Sequence, residues 1–228
     1  MAKAAITRKQ LLKEPDQFIT FSGRMIAFGR DHLKPILIGT GGLVLLLLIV
    51  AIASQVANRN ENRASDEVEK VIAKYSAALQ DTDASTAYER VKSDFSDLFD
   101  RFGAKDAVRV ARIIFGNISY DAGDADTAIA MYRQALDDVG QNASLKNIVV
   151  SGLGHSYALK ENYSEAIRYF EMIADHEEKT MKAGALFNLG WLYDSSGMKE
   201  KSSAAYEQLR DAFPNSVYGG LVKEKISG

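Results

Sequence analysis

Three histidines, a run of aspartates and three Asn-x-Ser tripeptides are the residues of this chain best suited to chemistry. His32, His155 and His176 stand far apart, and none has a second His or a Cys at metal-ligand spacing. The chain holds no cysteine, which removes disulfides, thiolate nucleophiles and zinc–thiolate sites together. Asp121, Asp124 and Asp126 resemble part of a calcium loop, but their order does not fit an EF-hand, so they predict a polar turn. No H-E-x-x-H, phosphate-binding loop or nucleophile elbow occurs. Asn117, Asn142 and Asn162 each head a glycosylation sequon, though Asn117 falls inside a predicted helix. The expectation is a protein that is not an enzyme, with no catalytic, metal or cofactor-binding residues and no small-molecule substrate.

The elements that carry these residues begin with a charge-free apolar run from Pro35 to Asn58. Residues 35–57 are long enough to cross a bilayer, which takes roughly 20 residues. Before the run lie seven Lys or Arg and three acids; the first twenty residues after it hold four of each sign. That asymmetry predicts a single-pass protein with a cytoplasmic N-terminus and its C-terminal domain on the other side. Ala51-Ile52-Ala53 fits a signal-peptide cleavage pattern, but the 34 residues ahead of the run make the preceding region too long, so an uncleaved anchor is expected. Within residues 1–34, Phe18, Phe21, Met25 and Phe28 recur at helical spacing beside Arg24, Arg30 and Lys34. They predict an amphipathic helix at the membrane surface.

Residues 59–228 carry 21 basic and 27 acidic side chains, a net charge of −6. Such a surface disfavours nucleic acid. Only Pro214 lies beyond the apolar run, which suits a helical domain. Ala64 to Gln80 and Ala84 to Phe102 each line one face with apolar residues, predicting a hairpin closed by Asp81-Thr82-Asp83. A linker is expected near Asn58 to Asn62.

The next stretch repeats. Windows 115–136, 153–174 and 189–210 align without gaps, each with a glycine (Gly116, Gly154, Gly190), a small residue twelve later (Ala128, Ala166, Ser202) and an aromatic four after that (Tyr132, Phe170, Tyr206). The repeat spacings are 38 and 36 residues. Small residues let paired helices approach closely, and the aromatic fills the gap to the next repeat. The pattern resembles the tetratricopeptide repeat, with Ser119, Ala125 and Ser202 as departures. The expected fold is all-α: a transmembrane helix (35–57), a linker and helical hairpin (58–105), and an α-solenoid of three repeats with a C-terminal cap (106–228). Phe213-Pro214-Asn215-Ser216 ends the last repeat helix, and Val217 to Ile226 form the cap.

In such solenoids the inner wall comes from the first helix of each repeat. Registering on the glycines places a protein-binding groove at Ile113, Asn117, Tyr120, Ser151, His155, Phe187, Trp191 and Asp194. Trp191 and Phe187 have the alternative of packing under the cap. Repeat modules that clamp a C-terminal carboxylate carry Lys and Asn, then Lys and Arg, where this chain has Ile113, Asn117, Gly184 and Asn188. Only one of the four matches, which disfavours chaperone tails as partners.

An N-terminal anchor, two helices and a short repeat array ending in Phe213-Pro214-Asn215-Ser216 are similar to the YfgM-like family of bacterial inner-membrane proteins. That resemblance implies an ancillary subunit of the Sec translocon, with repeats in the periplasm beside chaperones and newly exported chains. The competing reading is an envelope scaffold for cell division or outer-membrane assembly, a role in which such repeat proteins are usually soluble or lipid-anchored.

Overall fold

The computed structural model describes residues 33–226 apart from 104, 141 and 177–180, with side chains described from Leu45 to Val222. The amphipathic segment at Phe18, Phe21, Met25 and Phe28 lies outside the described residues. Among those described, the chain is all-helical, with α1 (Leu33–Asp81), α2 (Ala84–Phe102), α3 (Asp106–Asp121), α4 (Ala125–Asp138), α5 (Ala143–Leu159), α6 (Tyr163–Ala174), α7 (Lys182–Ser195), α8 (Lys199–Ala212) and α9 (Gly219–Ile226). Two compact units divide between Arg59 and Asn60.

In the first unit, the described apolar residues of α1 are bare. Leu45 to Val50, Ile52 and Val56 are each 51–61% exposed. Among the described residues no helix is long and apolar enough to cross a membrane; the side chains of residues 35–44, the first part of the expected span, lie outside them. The expected linker at residues 58–62 is helical and part of α1. No Gly or Pro interrupts α1 from Leu43 to its end at Asp81, so nothing breaks the helix at the expected linker.

The second unit opens with the remainder of α1 against α2 and α3. Ala64, Val68 and Val71 of α1 are buried with Tyr88, Val91, Phe95 and Leu98 of α2 and Val108, Ala111, Phe115 and Ile118 of α3. Phe95 stacks on Phe115 with ring centroids 4.5 Å apart. The apolar stripe of α2 recurs every three or four residues, as an amphipathic helix requires. Asp83 starts α2 by accepting the amide N–H of Thr86 at 2.8 Å. Glu61 accepts the Ala107 amide at 3.0 Å, satisfying one of the orphan donors at the start of α3.

From α3 onward each helix packs on the next, and α3 also touches α5. The pairs α3–α4, α5–α6 and α7–α8 have their turns at the predicted polar stretches. Before the second helix of each pair one residue takes a left-handed conformation: Gly123 (φ 84°), Glu161 (φ 58°) and Gly197 (φ 75°). Glycine does this without steric cost, whereas Glu161 carries some strain. The next residue caps the second helix in the first two pairs. Asp124 accepts the Thr127 amide and hydroxyl at 3.0 and 2.8 Å, and Asn162 accepts the Glu165 amide at 3.4 Å. Asn142 caps α5 the same way, accepting from Leu145 at 3.1 Å. Two of the three sequons therefore have a helix-starting role of their own.

Asp124 also accepts the Tyr88 hydroxyl at 2.6 Å and lies 3.6 Å from Lys92. Burial alone would raise its pKa, but the hydrogen bonds from Tyr88 and Thr127 together with the Lys92 charge outweigh that and hold it at about 2. The aspartate run is thus a cap that ties α4 to α2.

Packing within the pairs turns on one contact. A Cβ added to Gly116 would meet Tyr132 at 2.8 Å, one on Gly154 would meet Phe170 at 2.7 Å, and one on Gly190 would meet Tyr206 at 2.3 Å. Each ring lies flat in the space a side chain would fill. Tyr132 also rests on Gly152 of the following pair, where a Cβ would meet it at 2.5 Å. Ser202 takes the place of a small apolar residue because its hydroxyl donates to the Gly190 carbonyl at 2.7 Å. The final helix, α9, starts at Gly219, two residues later than the predicted cap, and buries Val222 while leaving Val217 85% exposed.

Gly190→Ala should cost the fold about 1–3 kcal/mol by forcing the buried Tyr206 ring aside. Gly220, in α9, has nothing within 4 Å of its added Cβ, and Gly220→Ala should instead gain up to about 1 kcal/mol of helix propensity. Urea denaturation of the two variants, followed by circular dichroism, reads the opposite signs.

Candidate functional site

The first helices of the pairs, α3, α5 and α7, present a wall bordered by two cavities. One, of about 420 Å³, is lined by Asn117, Tyr120 and Asp121 from α3 and by Tyr132 from α4. Ile148, Ser151 and His155 of α5 and Met181 complete it. The other, of about 470 Å³, lies between α5, α6 and α7 and is closed by Tyr218 and Val217 ahead of α9. Ser151, His155 and Met181 belong to both, so the cavities form one groove across the pairs.

Its positions follow from the helix period. Ser151 and His155 stand one turn apart on α5, and Asn117 and Tyr120 are three apart on α3, which puts each pair on one face. Asn117 accepts the Tyr132 hydroxyl at 2.5 Å; burial raises the pKa of that phenol, with Asp121 adding to the effect. His155 sits between aromatic rings, edge-on to Phe170 at 5.0 Å and tilted against Tyr120 at 6.1 Å. Burial pushes its imidazole below the ordinary histidine range. No carboxylate orients His155 and no hydrogen bond links it to Ser151 among the described residues, so the two do not make a nucleophile–base pair. His155 acts here as a neutral aromatic wall.

The predicted groove residues divide into three groups. Asn117, Tyr120, Ser151 and His155 come together in the groove. Ile113 is only 8% exposed and packs in the core with Ala128 and Ile129; it contributes no binding surface, because its face of α3 is covered by the following helices. Phe187 stacks on Tyr218 with centroids 4.9 Å apart, so it supports the C-terminal end from beneath. Trp191 is 43% exposed, edge-on to Tyr163 at 6.0 Å, and Asp194 is exposed; both lie outside the two cavities. Met181, Asn188 and Tyr218 are groove residues that the repeat register does not single out. Met181 and Tyr218 belong to no repeat helix, and Asn188 is one residue beyond the inner-wall position held by Phe187.

A further cavity of about 300 Å³ lies between α1 and α2. Its charges are largely matched within it, Lys70 with Glu67 at 2.9 Å and Lys74 with Asp94 at 2.5 Å, which leaves the neutral groove as the stronger site.

Residues 184–216 match the tetratricopeptide repeat family. The chain carries a tetratricopeptide repeat. The matched segment begins within α7, includes all of α8 and ends before α9, the third of the helix pairs. Tetratricopeptide repeats are typically protein-interaction modules. Comparison with curated proteins gives no match.

The neutral state of His155 predicts how the fold responds to acid. Its folded pKa lies below the ordinary value of 6.5, so as pH falls through 6.5 the unfolded chain takes up a proton that the folded chain resists. Stability present above that pH is lost progressively down to the folded value. His155→Gln should therefore lose less stability than the parent between pH 7 and pH 5 in paired urea titrations.

Proposed function

We propose that this protein is a membrane-tethered interaction subunit of the bacterial envelope, holding its groove beside the site where exported chains emerge. The observation that carries the binding role is the single uncharged-to-acidic groove running from Tyr120 past His155 to Tyr218. A mostly apolar cleft with a few amide and hydroxyl groups suits polypeptide segments. The tether rests on the charge-free run at residues 35–57 and on the eight bare aliphatic side chains between Leu45 and Val56. Apolar surface of that extent calls for a bilayer or a partner. Basic excess before the run favours a cytoplasmic N-terminus and a periplasmic repeat domain.

The likeness to the YfgM-like family points to the Sec translocon as the membrane partner and to periplasmic chaperones as neighbours. Mechanistically, the tether raises the concentration of the groove at the exit site, so that weak and promiscuous contacts suffice. No chemical step is needed; the work is capture and release.

Capture of the tagged full-length protein from membranes in mild detergent should recover translocon subunits and periplasmic chaperones, and residues 58–228 expressed alone should lose the translocon. Recovery of division or outer-membrane assembly factors without translocon subunits would overturn this assignment.

A further inference from the structure

The electrostatics of the groove say more about its occupant than its shape does. No Lys or Arg lines either cavity among the described residues, and Asp121 is the one charged group at the wall. Asp121 forms no ion pair among the described residues, whereas Asp138 at the end of α4 is held by Arg112. It is also the last residue of α3, and α3 has no basic residue in its last turn. A carboxylate at a helix C-terminus opposes the helix dipole, so Asp121 works against the fold that carries it. Tyr120 and Tyr132 line the same cavity, and aromatic rings beside a carboxylate form a favourable setting for a cation. The other cavity is mostly apolar, bounded by Phe170, Ile173 and Tyr218.

Resting on the reading of this groove as a polypeptide site, we propose that its occupant is an internal chain segment with a Lys or Arg at Asp121, followed by apolar side chains in the cavity beneath Tyr218. Charge complementarity selects the basic residue. Among the described lining residues no cation is present to pair with a terminal carboxylate, so the segment is taken as internal. Asp121 is exposed, and the discrimination is correspondingly modest.

The test uses the full-length protein in detergent and fluorescein-labelled, leucine- and valine-rich peptides that differ only in a central Lys, Gln or Glu, all C-terminally amidated. The Lys peptide should bind about fivefold more tightly than the Glu peptide, with Gln between them, and a free C-terminal carboxylate should bring no gain. Asp121→Asn should reduce the Lys peptide to the Gln level while slightly raising the melting temperature. A purely structural aspartate would not produce that pairing. Equal binding of Lys and Glu peptides, or a preference that survives Asp121→Asn, overturns the inference. Ser151→Trp blocks the groove, with Asn117→Trp as the alternative should the first misfold; peptide binding untouched by both overturns the groove reading itself. Failure of every peptide to bind overturns both.

Discussion

The fold beyond α3 depends on an aromatic ring lying on a glycine. Tyr132 on Gly116, Phe170 on Gly154 and Tyr206 on Gly190 are the same contact made three times. A ring brings about 150–250 Å² of surface, and only a helix without a side chain at that point lets it lie flush. The contact sets how closely the two helices of each pair approach. Tyr132 reaches further, onto Gly152, so one side chain joins two successive pairs and fixes α3 beside α5. That apposition makes the groove. Its floor is the edge of a core ring, and the hydroxyl of that ring donates to Asn117 on the inner wall.

From this constraint follows the character of the site. Helices that pack through rings and small residues leave little room for charge between them, so the inner wall is built from the few side chains that project past the core. Those are Asn117, Tyr120, Ser151 and His155, and among the described residues lining the groove the only formal charge is Asp121. Burial keeps His155 neutral. The described basic side chains lie elsewhere, in exposed pairs such as Lys160 with Asp126 and Arg168 with Glu165. A groove with one acidic end offers area and weak polarity, the character that the proposed capture and release requires.

Much of the helical framework was legible from the repeat of glycine, small residue and aromatic. That pattern is the packing contact itself written along the chain, so reading it places α3 to α8 and their turns. The hairpin α2 was equally plain, with Asp83 before it and a clean apolar stripe. Side-chain destinations were less so. Ile113 and Asn117 share an inner-wall register, yet the first is buried and the second exposed, because neighbouring helices cover α3 unevenly. Of the two residues with the alternative of packing under the cap, Phe187 took it, beneath Tyr218 just ahead of the final helix, whereas Trp191 stays exposed. Met181 and Tyr218 belong to connecting segments, where no period applies. The aspartate run read as a turn, and the structure adds that Asp124 reaches back to Tyr88 across 36 positions, a contact no local pattern encodes.

The account stands on the groove being the surface that meets other proteins. Photo-crosslinking in native membranes tests this most directly, with a benzophenone amino acid placed in turn at Tyr120, Asn188 and Met181 inside the groove and at Gln134 and Met172 outside it. The account predicts discrete adducts from the groove positions and none from the outer two. Adducts confined to Gln134 and Met172, with a silent groove, would contradict it.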